Sequence, residues 1–282
     1  MTLLKKNSAD RFIKLMTKSS PFLKQITFAT LNEPVGSYPL LTLSRYKTRG
    51  INRNAIATLQ NVSDTTINFN AKELVLPLVI PDSYIEDMNS SHEKVASYVA
   101  SVFAMDLQYL FLNGDTDEKG TTDIANLRKA MDGIVKQLTA KAVDYKEDAS
   151  KLEIIKTLVK ALPENALADP DLKIYVGATA YTELWDEIAN NSADKALLLN
   201  NGKIVYRGKE VIEIPELSKI VIINPNHIVG GICRDITMET QRYPEARGQK
   251  VVVSARVDFQ VVTDYAVMEG EESEEVDDGD GD

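Results

Sequence analysis

Cysteine, histidine and long apolar runs are all scarce in this sequence. Cys233 is the one cysteine among 282 residues, and His92 and His227 are the only histidines. A single cysteine excludes an intramolecular disulfide and cysteine-rich metal sites, and it suits a reducing compartment such as the cytoplasm. We expect Cys233 to be a buried small apolar residue. No apolar run of about 18 residues that would span a bilayer occurs, and the first residues lack the apolar core of a secretory signal.

The sequence motifs of common soluble enzymes are also missing. There is no P-loop, no Gly-x-Ser-x-Gly elbow, no His-Glu-x-x-His helix and no Cys-x-x-Cys pair. The pair Gly230-Gly231 lacks the rest of a dinucleotide-binding loop, so we predict a turn there. We therefore predict no catalytic, cofactor-binding or metal-binding residue. A cytoplasmic α/β enzyme stays open as an alternative, and its candidate carboxylates are Asp82, Glu86, Asp87 and Asp106.

Charge is concentrated at the two ends of the chain. Of the net charge of -10, the last segment, 269–282, supplies nine acidic residues and no basic one. We expect this segment to be a disordered acidic tail, because it cannot bury apolar surface. The first 30 residues carry six basic residues against Asp10 alone. Outside 269–282 the chain has 33 acidic residues against 32 basic ones and is nearly neutral.

Residues 1–39 are interpreted as an N-terminal arm. A partly amphipathic helix is predicted from about Ser8 to Lys18, and Ser19-Ser20-Pro21 ends it. Its apolar face needs a partner surface; a helix lying on a membrane surface is the alternative. The candidate contacts of the arm with DNA or with a scaffolding protein are its basic residues, Lys5, Lys6, Arg11, Lys14, Lys18 and Lys24.

Residues 40–78 have the alternation of a long β-hairpin, with turn-forming residues at 61–64. About 14 residues a side at roughly 3.3 Å each would extend on the order of 45 Å. A two-stranded ribbon is marginal alone in water, so we expect it to lie against a neighbouring subunit. The candidate inter-subunit contacts are Arg45, Lys47, Arg49, Arg53, Ile56, Ile67 and Phe69.

The strongest helix signal follows the hairpin. Ser90 and Glu93 have the spacing of a capping box, apolar residues then recur every three or four positions, and Asn113-Gly114 ends the helix. Further helices are predicted at 123–146, 149–162 and 178–190, with a strand at 172–176. Short strands are predicted at 204–206, 210–214 and 219–223, and either a final pair of strands or one long bent strand within 250–268. This order predicts an α+β fold.

Three local stretches, 104–115, 178–185 and 206–215, occur in an order that resembles a known family. They are similar to the end of the spine helix, the axial-domain helix and the strand before a proline in the major capsid proteins of tailed bacteriophages. That family has the Hong Kong ninety-seven-type fold. The resemblance implies an N-terminal arm at 1–39 and an extended hairpin loop at 40–78. It also implies a peripheral domain with a long spine helix at 76–131 and 234–268, and an axial domain at 132–233.

The resemblance further implies a structural protein without cofactors, not an enzyme. Members of the family self-assemble as pentamers and hexamers, through a procapsid, into an icosahedral head that encloses double-stranded DNA. The implied partners are other copies of the chain, a scaffolding protein, a portal protein, packaged DNA and decoration proteins, with no membrane. Assembly is expected in the host bacterial cytoplasm, and the mature location is the virion.

Two departures limit the resemblance. About 20 residues precede the fold, so a separate scaffolding protein is expected instead of a long fused segment. No asparagine follows Asn226, so the lysine–asparagine cross-link of the type member is not predicted. An encapsulin-like nanocompartment shell, which shares the fold but encloses a cargo enzyme, remains the main alternative.

Overall fold

The computed structural model describes residues 20, 22–42, 63–83, 92–190, 199–200, 203–233, 237–263 and 265–273. The predicted arm helix at 8–18 lies outside the described residues, as do the predicted turn residues 61–62 and the chain from 274 to 282. Within the described part, helices and sheets are mixed in one architecture, so the predicted α+β class is confirmed.

The strands are β1 (Thr27–Leu31), β2 (Val35–Thr42), β3 (Ser63–Asn70), β4 (Lys72–Pro81), β5 (Ala142–Lys146), β6 (Lys173–Val176), β7 (Leu199–Asn200), β8 (Lys203–Tyr206), β9 (Lys209–Glu213), β10 (Val221–Ile223), β11 (Ile228–Cys233), β12 (Thr237–Tyr243), β13 (Gly248–Val261) and β14 (Val267–Ser273). The helices are α1 (His92–Asn113), α2 (Asp123–Arg128), α3 (Ile134–Gln137), α4 (Lys151–Ala161), α5 (Glu164–Leu167) and α6 (Ala178–Asn190).

The first sheet is built around the long strand β13. Two strands, β12 and β11, pair antiparallel with successive parts of one edge of β13. Strand β1 pairs in parallel with β11. On the other edge, β4 pairs with β13 over ten positions, from Lys72↔Val257 to Pro81↔Gly248. The hairpin predicted at 40–78 is therefore displaced: β2 and β3 pair from Val35↔Asn70 to Thr42↔Ser63, and the chain after Asn70 becomes the edge strand β4 of this sheet.

Strand β11 contains the two glycines for which a turn was predicted, and that prediction is wrong. All six residues of β11 are buried. A Cβ on Gly230 would lie 2.8 Å from the Phe28 ring, and one on Gly231 would lie 2.8 Å from the Phe69 ring. Glycine is needed here because two aromatic side chains come close to the strand backbone.

Helix α1, the spine helix, ends at Asn113, as the sequence predicts. Its inner face buries Phe103, Leu107 and Phe111 against the first sheet. The ring of Phe111 packs on that of Phe259 in β13, with centroids 4.5 Å apart. Apolar residues at three- and four-residue spacing thus form the face that covers the sheet. Across the described part of the chain, no helix is both long enough and apolar enough to cross a membrane.

The helix predicted at 123–146 is wrong. The structure has the two short helices α2 and α3, a short 3-10 turn and then strand β5. Gly133 interrupts the helix because it packs against the backbone of Gly114, where a Cβ would lie 2.6 Å from the amide nitrogen. Strand β5 forms because it pairs in parallel with β14, a partner remote in sequence.

The second sheet has the strand order β5-β14-β10-β6-β9-β8-β7. Helices α4 and α6 pack on it through a second apolar cluster that includes Leu158, Leu184 and Ile222. Helix α6 spans the predicted 178–190, and α4 and β6 lie within their predicted ranges. The apolar periodicity of the sequence was therefore sufficient for these elements.

The expected start of the disordered acidic tail at residue 269 is wrong, because β14 extends to Ser273. Residues 269–273 were expected to be disordered, but they lie in this strand, between β5 and β10. Glu269 is only 7% exposed, and its Oε2 accepts a hydrogen bond of 2.8 Å from the backbone N–H of Ile220. The strand tolerates this carboxylate because the buried polar atom has a partner.

The two sheets share one core. Tyr175, Val221 and Met268 of the second sheet belong to the same apolar cluster as Phe111 and Phe259. The second sheet is thereby held against the first sheet and the spine helix. Cys233 is buried, as expected.

Candidate assembly interfaces

The ribbon of β2 and β3 is attached to the first sheet at its base. Ile67 and Phe69 are buried in a small apolar cluster with Leu31 and Val229 of the same chain. Both residues were predicted as inter-subunit contacts. For these two the prediction is wrong, because their side chains already fill the subunit's own core.

A buried carboxylate also holds the ribbon. Asp258 Oδ2 accepts a hydrogen bond of 2.7 Å from the backbone N–H of Asn70, and its Oδ1 accepts one of 2.8 Å from that of Phe259. The end of β3 is thus tied to β13 at a fixed point. The other predicted contacts belong to the segment that connects β2 and β3 in the sequence, which is outside the described residues. They are Arg45, Lys47, Arg49, Arg53 and Ile56.

Strand β4 exposes an apolar stripe. Val75 and Val79 are 55% and 48% exposed, and Pro77 between them is exposed too. Successive residues of a strand point to opposite faces, so these three lie on one face. Lys250 stands opposite Val79 in the pairing with β13. The outer face of the first sheet therefore combines apolar and basic surface.

The outer face of the spine helix is apolar as well. Tyr98 and Met105 are 59% and 54% exposed, and Val102 and Tyr109 are half-buried beside them. Asp106 is the only charged residue between Val95 and Asn113. Partial burial raises the pKa of the Asp106 carboxyl. The helix therefore exposes apolar side chains on the face where a surface helix normally carries polar ones.

The arm enters the described structure beside this helix. The Ser20 hydroxyl donates to Gln108 Oε1 of the spine helix, and Phe22 packs edge-on against Tyr175 with ring centroids 6.0 Å apart. Lys24, one of the predicted basic contacts, is exposed. The others, Lys5, Lys6, Arg11, Lys14 and Lys18, lie outside the described residues.

The loop after the spine helix is held by ion pairs. Lys136 Nζ lies 2.9 Å from Asp115 Oδ1 and 2.7 Å from Asp117 Oδ2, and Arg128 pairs with Glu118 at 2.8 Å. The hydrogen bond from Lys136 lowers the pKa of the Asp115 carboxyl. Hydrogen bonds to Asp117 and Asp115 raise the pKa of Lys136. The loop is thereby linked to α2 through Arg128 and to α3 through Lys136.

The carboxylates named for the enzyme alternative do not converge. Asp82 lies 3.9 Å from Arg242 at the end of β4, whereas Asp106 lies on the outer face of the spine helix. Glu86 and Asp87 lie outside the described residues. Within the described ranges, no group of three or more His, Cys, Asp or Glu side chains is placed to hold a metal ion.

Sequence reasoning missed several surfaces because their signals are not local. The exposed residues of β4 alternate in the sequence, but which face is outward depends on the pairing with β13. The apolar periodicity of the spine helix alone does not show that a second, outer stripe is exposed. Its exposure follows from the opposite face packing on the sheet.

Comparisons with known proteins identify similar chains. No protein-family model matches this sequence. It is 24% identical over 215 residues to a protein of Bacillus subtilis (strain 168) described as the putative prophage capsid protein YqbE, covering 70% of this chain and 68% of that protein.

Solved structures share the fold. A chain of the satellite phage P4 procapsid that includes the size determination (Sid) protein matches with a TM-score of 0.67 and 12% identity, covering 94% of this chain and 91% of that chain. A virus-like particle from Pyrococcus furiosus matches with a TM-score of 0.57 and 12% identity, covering 92% of this chain and 96% of that chain. Each likeness therefore extends over more than nine-tenths of this chain.

Proposed function

We propose, from the premise that this chain has the major capsid fold of the tailed bacteriophages, that it is the subunit of an icosahedral phage head. The observation that carries this function is the match to a procapsid chain over 94% of the sequence, together with the sequence similarity to a prophage capsid protein. Its role is structural, and its activity is self-association into a shell.

The exposed apolar surface of β4 supports self-association. Val75 and Val79, with Pro77 between them, form an apolar stripe on one face of the subunit. Such surfaces on a water-soluble chain mark contacts with other protein surfaces. In a shell, each subunit contacts several copies, and stable contacts bury on the order of 1,000 Å² or more. Pentamers and hexamers would supply contacts of that kind.

The ribbon is proposed to reach across an adjacent subunit. Its base is fixed by Phe69 and by the Asp258 carboxylate, so the chain between β2 and β3 can extend from a rigid support. That chain, residues 43–62, carries four basic residues and Ile56. We expect Arg45, Lys47, Arg49, Arg53 and Ile56 to contact the neighbour, while Ile67 and Phe69 hold the ribbon to its own subunit.

The basic arm is proposed to face the interior of the shell. Its six basic residues would attract DNA phosphates or an acidic surface of a scaffolding protein. The acidic residues after Ser273 would be repelled by packaged DNA and are expected to project outward. Limited proteolysis of intact particles tests both placements. Early loss of residues 5–24 with the acidic end retained would contradict them.

We propose that the division into capsomer regions follows the two sheets. The peripheral domain, 76–131 and 234–268, would contain the spine helix and most of the first sheet, and the axial domain, 132–233, most of the second. Three strands depart from these bounds. Strands β1 and β11 belong to the first sheet, and β14 belongs to the second. The second sheet is proposed to lie at the capsomer centre.

The remaining partners are proposed from the same fold. A separate scaffolding protein would direct a procapsid, a portal protein would occupy one vertex, and decoration proteins would bind outside. The double-stranded DNA would be packaged without sequence preference, because attraction to the phosphate backbone carries no sequence information. The particle would assemble in the host bacterial cytoplasm and end as a virion.

A nanocompartment shell is the second candidate. The match to the Pyrococcus furiosus particle covers 96% of that chain, more of the compared chain than in the procapsid match. The two functions differ in what the shell encloses. An encapsulin-like shell would contain a protein cargo, and a phage head would contain DNA.

Co-expression of the chain with its genomic neighbours tests the proposal. Particles would be sized by light scattering, treated with nuclease and analysed for protected nucleic acid and for co-purifying protein. Particles containing scaffolding protein, or nuclease-protected DNA when the packaging proteins are present, are expected. A defined enzyme inside would favour the nanocompartment instead, and a persistent monomer of 31.3 kDa would contradict both.

A further inference from the structure

The outer face of the spine helix has a continuous apolar stripe. Tyr98, Val102, Met105 and Tyr109 are spaced four, three and four residues apart, so they lie on one side of the helix. The opposite side, with Phe103, Leu107 and Phe111, packs into the core. The helix is therefore apolar on both sides, whereas a helix at a protein surface normally has one polar face. Its outer stripe needs a covering element.

We propose that residues 8–18 of the same chain dock along this stripe as an amphipathic helix. The occupant is thus the subunit's own N-terminal segment and not a second protein. The inference concerns the packing of one subunit, so it holds or fails independently of the proposed shell.

The point where the arm joins the described structure supports this occupant. Ser20 is buried, and its hydroxyl donates to Gln108 on the flank of the spine helix. Gln108 follows Met105 by three residues, which is less than one helical turn. Lys18 is only two residues before Ser20, so it lies within about 7 Å of that point by chain length. The C-terminal end of the segment is therefore within reach of the stripe.

The length of the segment also fits. Residues 8–18 would form a helix of about 16 Å, and Tyr98 to Tyr109 span about 16 Å along the spine helix, at 1.5 Å a residue. With Ser20 fixed at Gln108, a parallel arrangement would bring Met16 near Met105 and Phe12 near Val102.

The residue pattern of the segment fits the surface. Ala9, Phe12, Ile13 and Met16 have the spacing of one helical face. Arg11, Lys14 and Lys18 have the spacing of another face, opposite the first. The only charge on the outer half of the spine helix from Val95 onward is the carboxylate of Asp106. The stripe therefore carries no basic side chain that would repel the segment, whose own basic face points away from it.

Disulfide trapping tests the proposal on the full-length chain. In a Cys233→Ala background, Met16→Cys is combined with Met105→Cys, the protein is oxidised, and the products are separated on a non-reducing gel and identified by peptide mass spectrometry. The matched control combines Lys14→Cys, on the basic face, with the same Met105→Cys. We expect an intrachain disulfide that forms at least fivefold faster in the first pair.

Two outcomes would overturn the proposal. Equal cross-linking of the two pairs would show that the segment does not dock through its apolar face. A disulfide that joins two chains, seen as a dimer band, would assign the stripe to a second copy. Neither result would affect shell formation, which is measured separately by particle size.

A second measurement does not depend on cysteines. Met105→Lys places a charge in the stripe, while Val79→Lys places the same charge on the exposed face of β4. Docking protects Lys14 and Lys18 from trypsin, so cleavage there is expected to be about tenfold faster in Met105→Lys and unchanged in Val79→Lys. Equal cleavage rates in both variants and the unsubstituted chain would contradict the docking.

Discussion

Gly114 and Gly133 lie back to back, and a Cβ on Gly133 would lie only 2.6 Å from the amide nitrogen of Gly114. The Gly133 N–H also donates to the Gly114 carbonyl at 3.0 Å. The contact brings the chain after α2 against the end of the spine helix. It fixes the direction in which the chain leaves the first sheet for the second.

Gly133→Ala is expected to destabilise the subunit. The added methyl has backbone atoms of Gly114, Leu110 and Phe111 within 2.8 Å, none of which can rotate away. Overpacking of this kind costs about 1–3 kcal/mol. Gly36→Ala is the matched control, because a Cβ there meets only the Glu33 carbonyl at 3.9 Å. Urea unfolding of the unassembled chain measures both, and equal stability of the two variants would refute the role of the contact.

The ion pairs of the neighbouring loop predict a pH dependence. The pKa of Asp115 is lowered in the folded state, so its contribution is complete above the unfolded value of about 4 and is lost as the pH falls through the folded value. The pKa of Lys136 is raised, so its contribution is complete below about 10 and is lost as the pH rises through the folded value.

Lys136→Gln is therefore expected to lower the melting temperature at neutral pH, and the difference from the unsubstituted chain should shrink as the pH falls toward 3. Lys119→Gln, in the same loop, removes a charge from an exposed side chain and serves as the control. The measurement is thermal melting at several pH values. A difference that is constant between neutral and acid pH would argue against the ion pairs.

The acidic residues before and after Ser273 are expected to differ in their importance for folding, because β14 ends at Ser273. Deleting 274–282 removes residues beyond strand β14, so the melting temperature should stay within about 2 °C. Deleting 269–282 removes the centre of β14 and leaves the Ile220 N–H without its carboxylate partner. That truncation should yield insoluble or unfolded protein. Circular dichroism and melting of both truncations test this, and a stable, soluble 269–282 deletion would contradict the strand's role.

The base and the tip of the ribbon are expected to respond differently to substitution. Phe69→Ala empties a buried site and should cost about 3–5 kcal/mol of subunit stability. Replacing Arg45, Lys47, Arg49 and Arg53 together by glutamine should leave the melting temperature unchanged but reduce particle yield at least tenfold. Melting and light scattering are measured on both variants. Normal assembly of the fourfold variant would remove these side chains from the interface.

How far the sequence predicts the structure depends on whether the signal is local. The spine helix and α6 were predicted correctly because their apolar residues recur at helical spacing, and each packs one face on a sheet. The helix at 123–146 was wrong because its local pattern was overridden by the contact of Gly133 with Gly114 and by the pairing of β5 with β14.

The same limit explains the errors at the candidate interfaces. Gly230-Gly231 has the composition of a turn, and only the distant Phe28 and Phe69 show why glycine stands in a strand. Glu269 begins an acidic segment with the composition of a disordered tail, but the Ile220 N–H gives its carboxylate a buried partner. Ile67 and Phe69 alternate as a surface ribbon would, and their burial depends on β1 and β11.

Electron microscopy of the purified full-length chain, negatively stained and examined both alone and after co-expression with its genomic neighbours, tests the shell function most directly. Closed particles of uniform size, or rings of five and six subunits, are the predicted result. A chain that stays a monomer of 31.3 kDa under both conditions, without rings or particles, would contradict the capsid function.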